Sequence, residues 1–88
     1  MMYPFMTLED QTEIVHSDIL PNNQLLIYVE KPVEDECFHH AVLRIPDYQW
    51  EQIKGFTQDE LNEFQKIIRR IEAKLYENAN SKRKKMIH

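Results

Sequence analysis

The segment Phe56-Thr57-Gln58-Asp59-Glu60-Leu61 predicts the start of a helix and divides the chain into two structural halves. Thr57 belongs to the residue types that cap the first backbone N–H groups of a helix. Glu60, three residues later, can reach back to the N–H of Thr57, so the two residues form a capping box. Phe56 and Leu61 flank the cap and can pack together as a hydrophobic staple.

Downstream of this cap, the spacing of apolar residues predicts one long helix over residues 58 to about 78. Apolar residues recur at intervals of three and four positions, which is typical of a helix that buries one face. A helix of this length spans about 30 Å at 1.5 Å per residue. The predicted buried face consists of Leu61, Phe64, Ile67, Ile68, Ile71 and Leu75.

Upstream of the cap, apolar alternation and turn-forming residues predict three or four short strands. The segment before the cap, residues 47–54, is predicted to form a turn or a single helical coil. The predicted strands are residues 5–8, 12–16, 24–30 and 37–45.

These elements predict an α+β fold, in which a small antiparallel sheet of three to four strands in meander order is covered by the long C-terminal helix. A second layer is needed because a small sheet alone is marginally stable in water. Residues 1–79 are predicted to form a single domain, and residues 80–88 a basic, flexible tail.

The composition excludes several functional classes. Gly55 is the single glycine among 88 residues, which excludes glycine-rich phosphate-binding loops. Cys37 is the single cysteine, so an intrachain disulfide is impossible. No apolar run approaches the roughly 20 residues that span a bilayer, and residues 1–10 lack the basic start of a secretory signal. We therefore expect a cytoplasmic protein with no cofactor and no membrane partner.

The second face of one predicted strand suggests a contact with another protein. The strand over residues 24–30 is apolar on both faces, so that Leu26 and Tyr28 need a cover of their own. Tyr48 and Trp50 are further candidate interface anchors, because aromatic side chains are enriched at binding hot spots. The alternative for Trp50 is that it fills the corner between sheet and helix.

Charge is distributed unevenly and leaves a second functional class open. Residues 1–56 contain ten acidic and three basic side chains, whereas residues 57–88 contain five acidic and eight basic ones. A nucleic acid could bind the basic half, although the acidic body argues against a dedicated nucleic-acid protein. The candidate contacts are Lys66, Arg70 and Lys74 on the outer helix face and Lys82, Arg83, Lys84 and Lys85 in the tail.

Cys37 and His39 could form a metal or thiolate site, with His16 or His40 as a third ligand. On a strand, Cys37 and His39 share one face and His40 lies on the other. The alternative is that Cys37 packs as a small apolar residue and the histidines face solvent. Zinc sites usually show paired ligands at short spacing, which this chain lacks, so we predict no metal site.

Two segments resemble those of small uncharacterised bacterial proteins that are encoded in genomes and mobile elements. They are Thr-Leu-Glu-Asp-Gln-Thr-Glu-Ile-Val-His-Ser over residues 7–17 and Ile-Pro-Asp-Tyr-Gln-Trp-Glu-Gln-Ile-Lys-Gly-Phe-Thr over residues 45–57. The resemblance implies a bacterial, cytoplasmic, non-enzymatic protein. It carries over no functional residue, because such proteins have no established activity.

The function predicted from these features is that of a small non-enzymatic protein-interaction module, such as a regulator or an inhibitor. The partner is another protein or a second copy of the chain, and a homodimer is the simplest arrangement. The alternative is a nucleic-acid-binding accessory protein that uses the basic helix face and the C-terminal tail.

Replacement of Thr57 by alanine removes the oxygen that caps the helix. We expect Thr57→Ala to lower the free energy of unfolding by about 1 kcal/mol, as measured by urea denaturation. Thr57→Ser keeps the hydroxyl and serves as the control, with a smaller loss. An equal loss in both variants would argue against a capping role for this residue.

Overall fold

A five-stranded antiparallel sheet and one long helix make up the part of the chain that the computed structural model describes. That part comprises the backbone of residues 2–33 and 38–87 and the side chains of residues 2–33 and 38–81. The strands lie side by side in chain order, which makes the sheet a meander. The elements are β1 (Met2–Thr7), β2 (Glu13–Ser17), β3 (Leu25–Pro32), β4 (Phe38–Ile45), β5 (Gln49–Lys54) and α1 (Gln58–Ile87).

The predicted α+β class, meander order and C-terminal helix are confirmed, whereas the predicted number of three to four strands is wrong. The additional strand is β5, in the segment for which the sequence predicts a turn or helical coil. Its register with β4 shifts between His40 and Val42, so a bulge interrupts the strand. The bulge breaks the period of two and leaves Ile53 exposed. The regular alternation of apolar and polar residues in β5 is therefore too short to indicate a strand from the sequence.

The core lies between α1 and one face of the sheet. The central strand β3 contributes Leu25, Ile27 and Val29, which are fully buried. Ile68 and Leu75 of α1 are also fully buried in the same cluster, so the predicted buried helix face is the one that packs on the sheet. The other buried members are Ile14, Ala41, Leu43, Ile45, Phe56, Leu61, Phe64 and Ala79.

The predicted capping box forms at the start of α1. The Glu60 N–H donates to Thr57 Oγ1 at 3.2 Å, and the Thr57 N–H donates to Glu60 Oε1 at 2.9 Å. Phe56 and Leu61 are both buried in the core cluster, as expected for the staple. The Phe56 ring also meets the Phe64 ring edge to face, with centroids 4.9 Å apart.

Gly55 permits the sharp turn that leads from β5 into this cap. Its φ angle is +89°, in the region that side chains with a Cβ rarely adopt. A Cβ at this position would lie 2.2 Å from Cδ2 of His39, so the turn also requires space that only glycine leaves.

Helix α1 extends to Ile87, so the predicted helix end near residue 78 is wrong. Ala79 is the last described side chain in the core, and Asn80 and Ser81 beyond it are exposed. Apolar spacing marks only the buried part of a helix, whereas lysine and arginine continue a helix well without burial. The predicted division into a domain over residues 1–79 and a flexible tail over 80–88 concerns mobility and stays a prediction.

Ile68 lies in the middle of the buried stripe, whereas Arg70 is exposed on the same helix. We expect Ile68→Ala to lower the free energy of unfolding by about 2–5 kcal/mol, because it leaves a cavity in the core. Arg70→Ala is the control and should change it by less than about 0.5 kcal/mol. Denaturant melts of both variants measure the difference. Equal losses would show that the outer face of α1 is also buried, by association of helices.

Candidate functional site

The face of the sheet that is turned away from α1 is the candidate functional surface. Successive residues of a strand point to opposite faces, so the residues that alternate with the core residues lie on the far side from α1. We call this side the open face. Its members in β2, β3 and β4 include Val15, Leu26, Tyr28, Glu30, His40, Val42 and Arg44.

An apolar row crosses the middle of the open face from β1 to β4. The strand register places Pro4 opposite Val15, Val15 opposite Tyr28, and Tyr28 opposite Val42. We call these four residues the central row. Val15 and Val42 are only 7 % and 4 % exposed although α1 lies on the other face, because opposite and diagonal side chains in a sheet shield one another.

Charged side chains of opposite sign flank the central row. On one side Glu13 lies opposite Glu30, and Glu30 lies opposite His40. On the other side Arg44 lies opposite Leu26. Among the described side chains, neither glutamate has a hydrogen bond or an ion pair. Carboxylates directly opposite each other are destabilising, and Lys54, the described cation on this side, lies across His40 from Glu30 rather than beside it.

Two acceptors hold Arg44 in place. Its Nε donates to Oε2 of Glu51 at 3.0 Å, and its Nη1 donates to Oε1 of Gln24 at 3.2 Å. The hydrogen bond and the charge of Glu51 raise the pKa of Arg44. The guanidinium is therefore a fixed cation with a set orientation at this end of the open face.

A cleft of about 240 Å³ opens on the open face beside Glu30. Gln52 forms part of its wall and has a φ of 51°, which is a rare backbone conformation for a residue other than glycine. Gln52 lies at the bulge of β5, and bulges often reorient side chains beside functional sites. The cleft is lined by Met2, Tyr28, Glu30, His40, Ala41, Val42 and Gln52.

The four predicted interaction residues do not form one surface. Leu26 and Tyr28 lie half-buried on the open face. Tyr48 and Trp50 lie toward the helix: the Trp50 Nε1–H donates to Gln65 at 3.3 Å, and the Tyr48 hydroxyl donates to Glu72. Trp50 therefore lies where the alternative interpretation places it, in the corner between sheet and helix.

Tyr48 joins the β4–β5 connection to α1 through its ring as well as its hydroxyl. The Arg69 guanidinium carbon lies 3.9 Å from the centre of the Tyr48 ring, in a cation–π arrangement. Burial raises the pKa of the Tyr48 hydroxyl, and the hydrogen bond to the Glu72 carboxylate raises it further. The neutral hydroxyl is thus the form that the folded state stabilises.

The histidines are separated in the structure. His16 is fully buried: its Nδ1–H donates to the Ser17 carbonyl at 2.9 Å, and its Nε2 accepts from Asn78 at 2.8 Å. His39 packs edge to face on Phe56, and His40 lies on the open face. Cys37 lies outside the described residues, and among those described no cluster of histidine, cysteine or carboxylate side chains could hold a metal ion.

Three of the basic residues proposed for nucleic acid lie on the outer face of α1. Lys66, Arg70 and Lys74 are exposed, as is Glu77 among them. Lys66 also forms an ion pair with Glu63 at 3.5 Å, so the described part of this face is mixed in charge. The side chains of Lys82, Arg83, Lys84 and Lys85 lie outside the described ones.

Sequence reasoning missed the arrangement of charge about the central row. Alternation alone places His40, Val42 and Arg44 on one face of their strand. The missing information is the register, since the pairing of β3 with β4 decides that Glu30 lies opposite His40 and Leu26 opposite Arg44.

Within the described residues, no helix has the length and apolar character needed to cross a bilayer.

Ionisation of Tyr48 should weaken the fold at alkaline pH. Because the folded-state pKa is raised above the unfolded value of about 10, this contribution to stability is complete below pH 10 and is lost as pH rises beyond it. We expect Tyr48→Phe to cost ~1 kcal/mol near pH 7 and to flatten the decline above pH 10. Urea titrations from pH 7 to 11 measure both effects. Equal slopes for wild type and variant would contradict the assignment.

Comparison with protein-family models, with curated proteins and with solved structures gives no match. We therefore infer function from the side chains and the geometry of this chain.

Proposed function

We propose that this chain is a small non-enzymatic protein-interaction module, which binds another polypeptide across the open face of its sheet. The observation that carries the proposal is the apolar central row. When one face of an antiparallel sheet is solvated, its outward residues are normally polar. Here the middle of that face consists of Pro4, Val15, Tyr28 and Val42.

The surroundings of the central row support this proposal. Protein interfaces commonly have an apolar, aromatic centre and a polar rim. Tyr28 is a half-buried aromatic at the centre, with Leu26 beside it and Glu30 and Arg44 on the rim. Phe38, 55 % exposed, and Met2, 45 % exposed, extend the apolar area toward its edges. A regulator or an inhibitor would act through this face by covering a surface of its partner.

The nucleic-acid alternative has weaker support. The described outer face of α1 carries Glu63 and Glu77 among its basic residues, and one lysine is already paired with Glu63. Phosphate binding favours an uninterrupted basic surface. The setting that we propose is the bacterial cytoplasm, which the resemblance implies.

Substitution on the open face should abolish binding without unfolding the domain. We expect Tyr28→Ser to eliminate every complex that wild type forms, whether with a second copy or with another protein, because a central aromatic anchor is lost. Arg70→Ser, on the outer face of α1, is the control and should retain each complex. Sedimentation velocity detects self-association, and affinity capture from the native host detects other partners.

Circular dichroism melts verify that both variants are folded. Two outcomes would overturn the proposed function: complexes that survive Tyr28→Ser unchanged, or the absence of any complex with wild type in both assays.

A further inference from the structure

We infer that the open face binds a second copy of this chain through a two-fold axis along the central row, with Arg44 of each copy bound to Glu30 of the other. This inference rests on the proposed function and names its partner. The charges on the open face support this partner in addition to the apolar row.

The two sides of the central row are complementary to each other. On β3, Glu30 and Leu26 lie two residues from Tyr28 in opposite directions. On β4, His40 lies two residues before Val42 and Arg44 lies two residues after it. One side thus carries an acidic residue beside a histidine, and the other carries a cation beside leucine.

A two-fold axis along the central row brings these two sides together. Rotation about it places the row over itself and reverses the strand direction of one copy relative to the other. The pair Leu26 and Arg44 of the second copy then faces the pair Glu30 and His40. Arg44 of the second copy then lies directly above His40 and diagonally across from Glu30. A side chain as long as arginine can span that diagonal distance. In an isologous interface each such contact occurs twice.

An axis along the strands either opposes like charges or covers less of the central row. An axis along the strands keeps each side of the central row on its own side, which sets Glu30 of one copy toward the acidic side of the other. Only an axis over β4 brings Lys54 of one copy above Glu30 of the other, and that axis leaves Pro4 and Val15 of the central row uncovered. The described cation nearest along this side is Lys54, which lies opposite His40 and is separated from Glu30 by it.

The cleft provides the space that the arginine requires. Its volume of about 240 Å³ lies below the range of roughly 300–1,000 Å³ typical of small-molecule sites, which favours a single side chain as its occupant. Val42, Met2 and the ring of Tyr28 offer apolar contact for the aliphatic stem. The Glu30 carboxylate offers an acceptor for the guanidinium head.

Arg44 retains donors for this contact. A guanidinium carries five N–H donors, and the hydrogen bonds to Glu51 and Gln24 use two of them. These two bonds also limit the freedom of the side chain before association, which reduces the entropy lost on binding.

Charge reversal at the two positions tests the inference. Sedimentation equilibrium between about 1 and 100 µM gives the dimer dissociation constant. We expect Glu30→Arg and Arg44→Glu each to weaken the dimer by at least about 10-fold, because each places like charges together at two sites. The double variant, which restores opposite charges, should bind at least about 10-fold more tightly than either single variant.

Three controls separate this contact from other effects. Glu63→Arg makes the same charge change on the outer face of α1 and should leave the dimer unchanged. Glu51→Gln removes the internal ion pair of Arg44 but keeps Arg44 and Glu30, so its dimer dissociation constant shows how much of the Arg44→Glu effect comes from that ion pair. Glu30→Gln is a milder variant that keeps the test valid if a reversal variant unfolds, and it should also weaken the dimer.

The outcomes distinguish this inference from the proposed function. A wild-type chain that stays monomeric to 100 µM overturns the inference, while capture of another protein through Tyr28 would still support the proposed function. A dimer that needs Tyr28 but tolerates both charge reversals overturns the Arg44–Glu30 contact. A double variant no tighter than the single variants does the same.

Discussion

The structure depends on the packing of one apolar stripe of α1 against one face of the sheet. Ile68 and Leu75 are fully buried there together with Leu25, Ile27 and Val29 of the central strand. Burial of apolar surface is the main favourable term in folding a chain of this size. A single helix covers a single face, so the same packing that stabilises the fold leaves the opposite face of the sheet without a helix.

Polar contacts at separate points fix how α1 lies on the sheet. The capping box at Thr57 sets where the helix begins, and Tyr48 ties its middle to the β4–β5 connection through Glu72. Near its other end, Asn78 hydrogen-bonds the buried His16. The Tyr48 and Asn78 hydrogen bonds are partly buried, so breaking them leaves poorly solvated polar groups without partners, and both contacts disfavour a shifted or rotated helix. Apolar packing alone would tolerate such shifts more easily.

The open face is organised in the opposite manner from the core. The core is apolar apart from a few buried polar residues such as the hydrogen-bonded His16, whereas the open face has an apolar centre with Glu30 on one side and Arg44 on the other. Solubility alone does not require this order, since scattered charges serve it equally well. Opposite charges on the two sides of the apolar row instead make the surface asymmetric, so a partner with complementary charges can bind it in only a few orientations.

The sequence by itself determined the local elements: the cap at Thr57, the apolar spacing of the helix and the strand over residues 24–30 are visible without coordinates, because each depends on neighbours within a few positions. Strand β5 was not visible, since a bulge at Gln52 interrupts its alternation. Only the tertiary structure decided that Tyr48 and Trp50 lie toward the helix while Tyr28 lies on the open face. It also placed Glu30 beside Glu13 and His40, because strand register pairs residues that are distant in the chain.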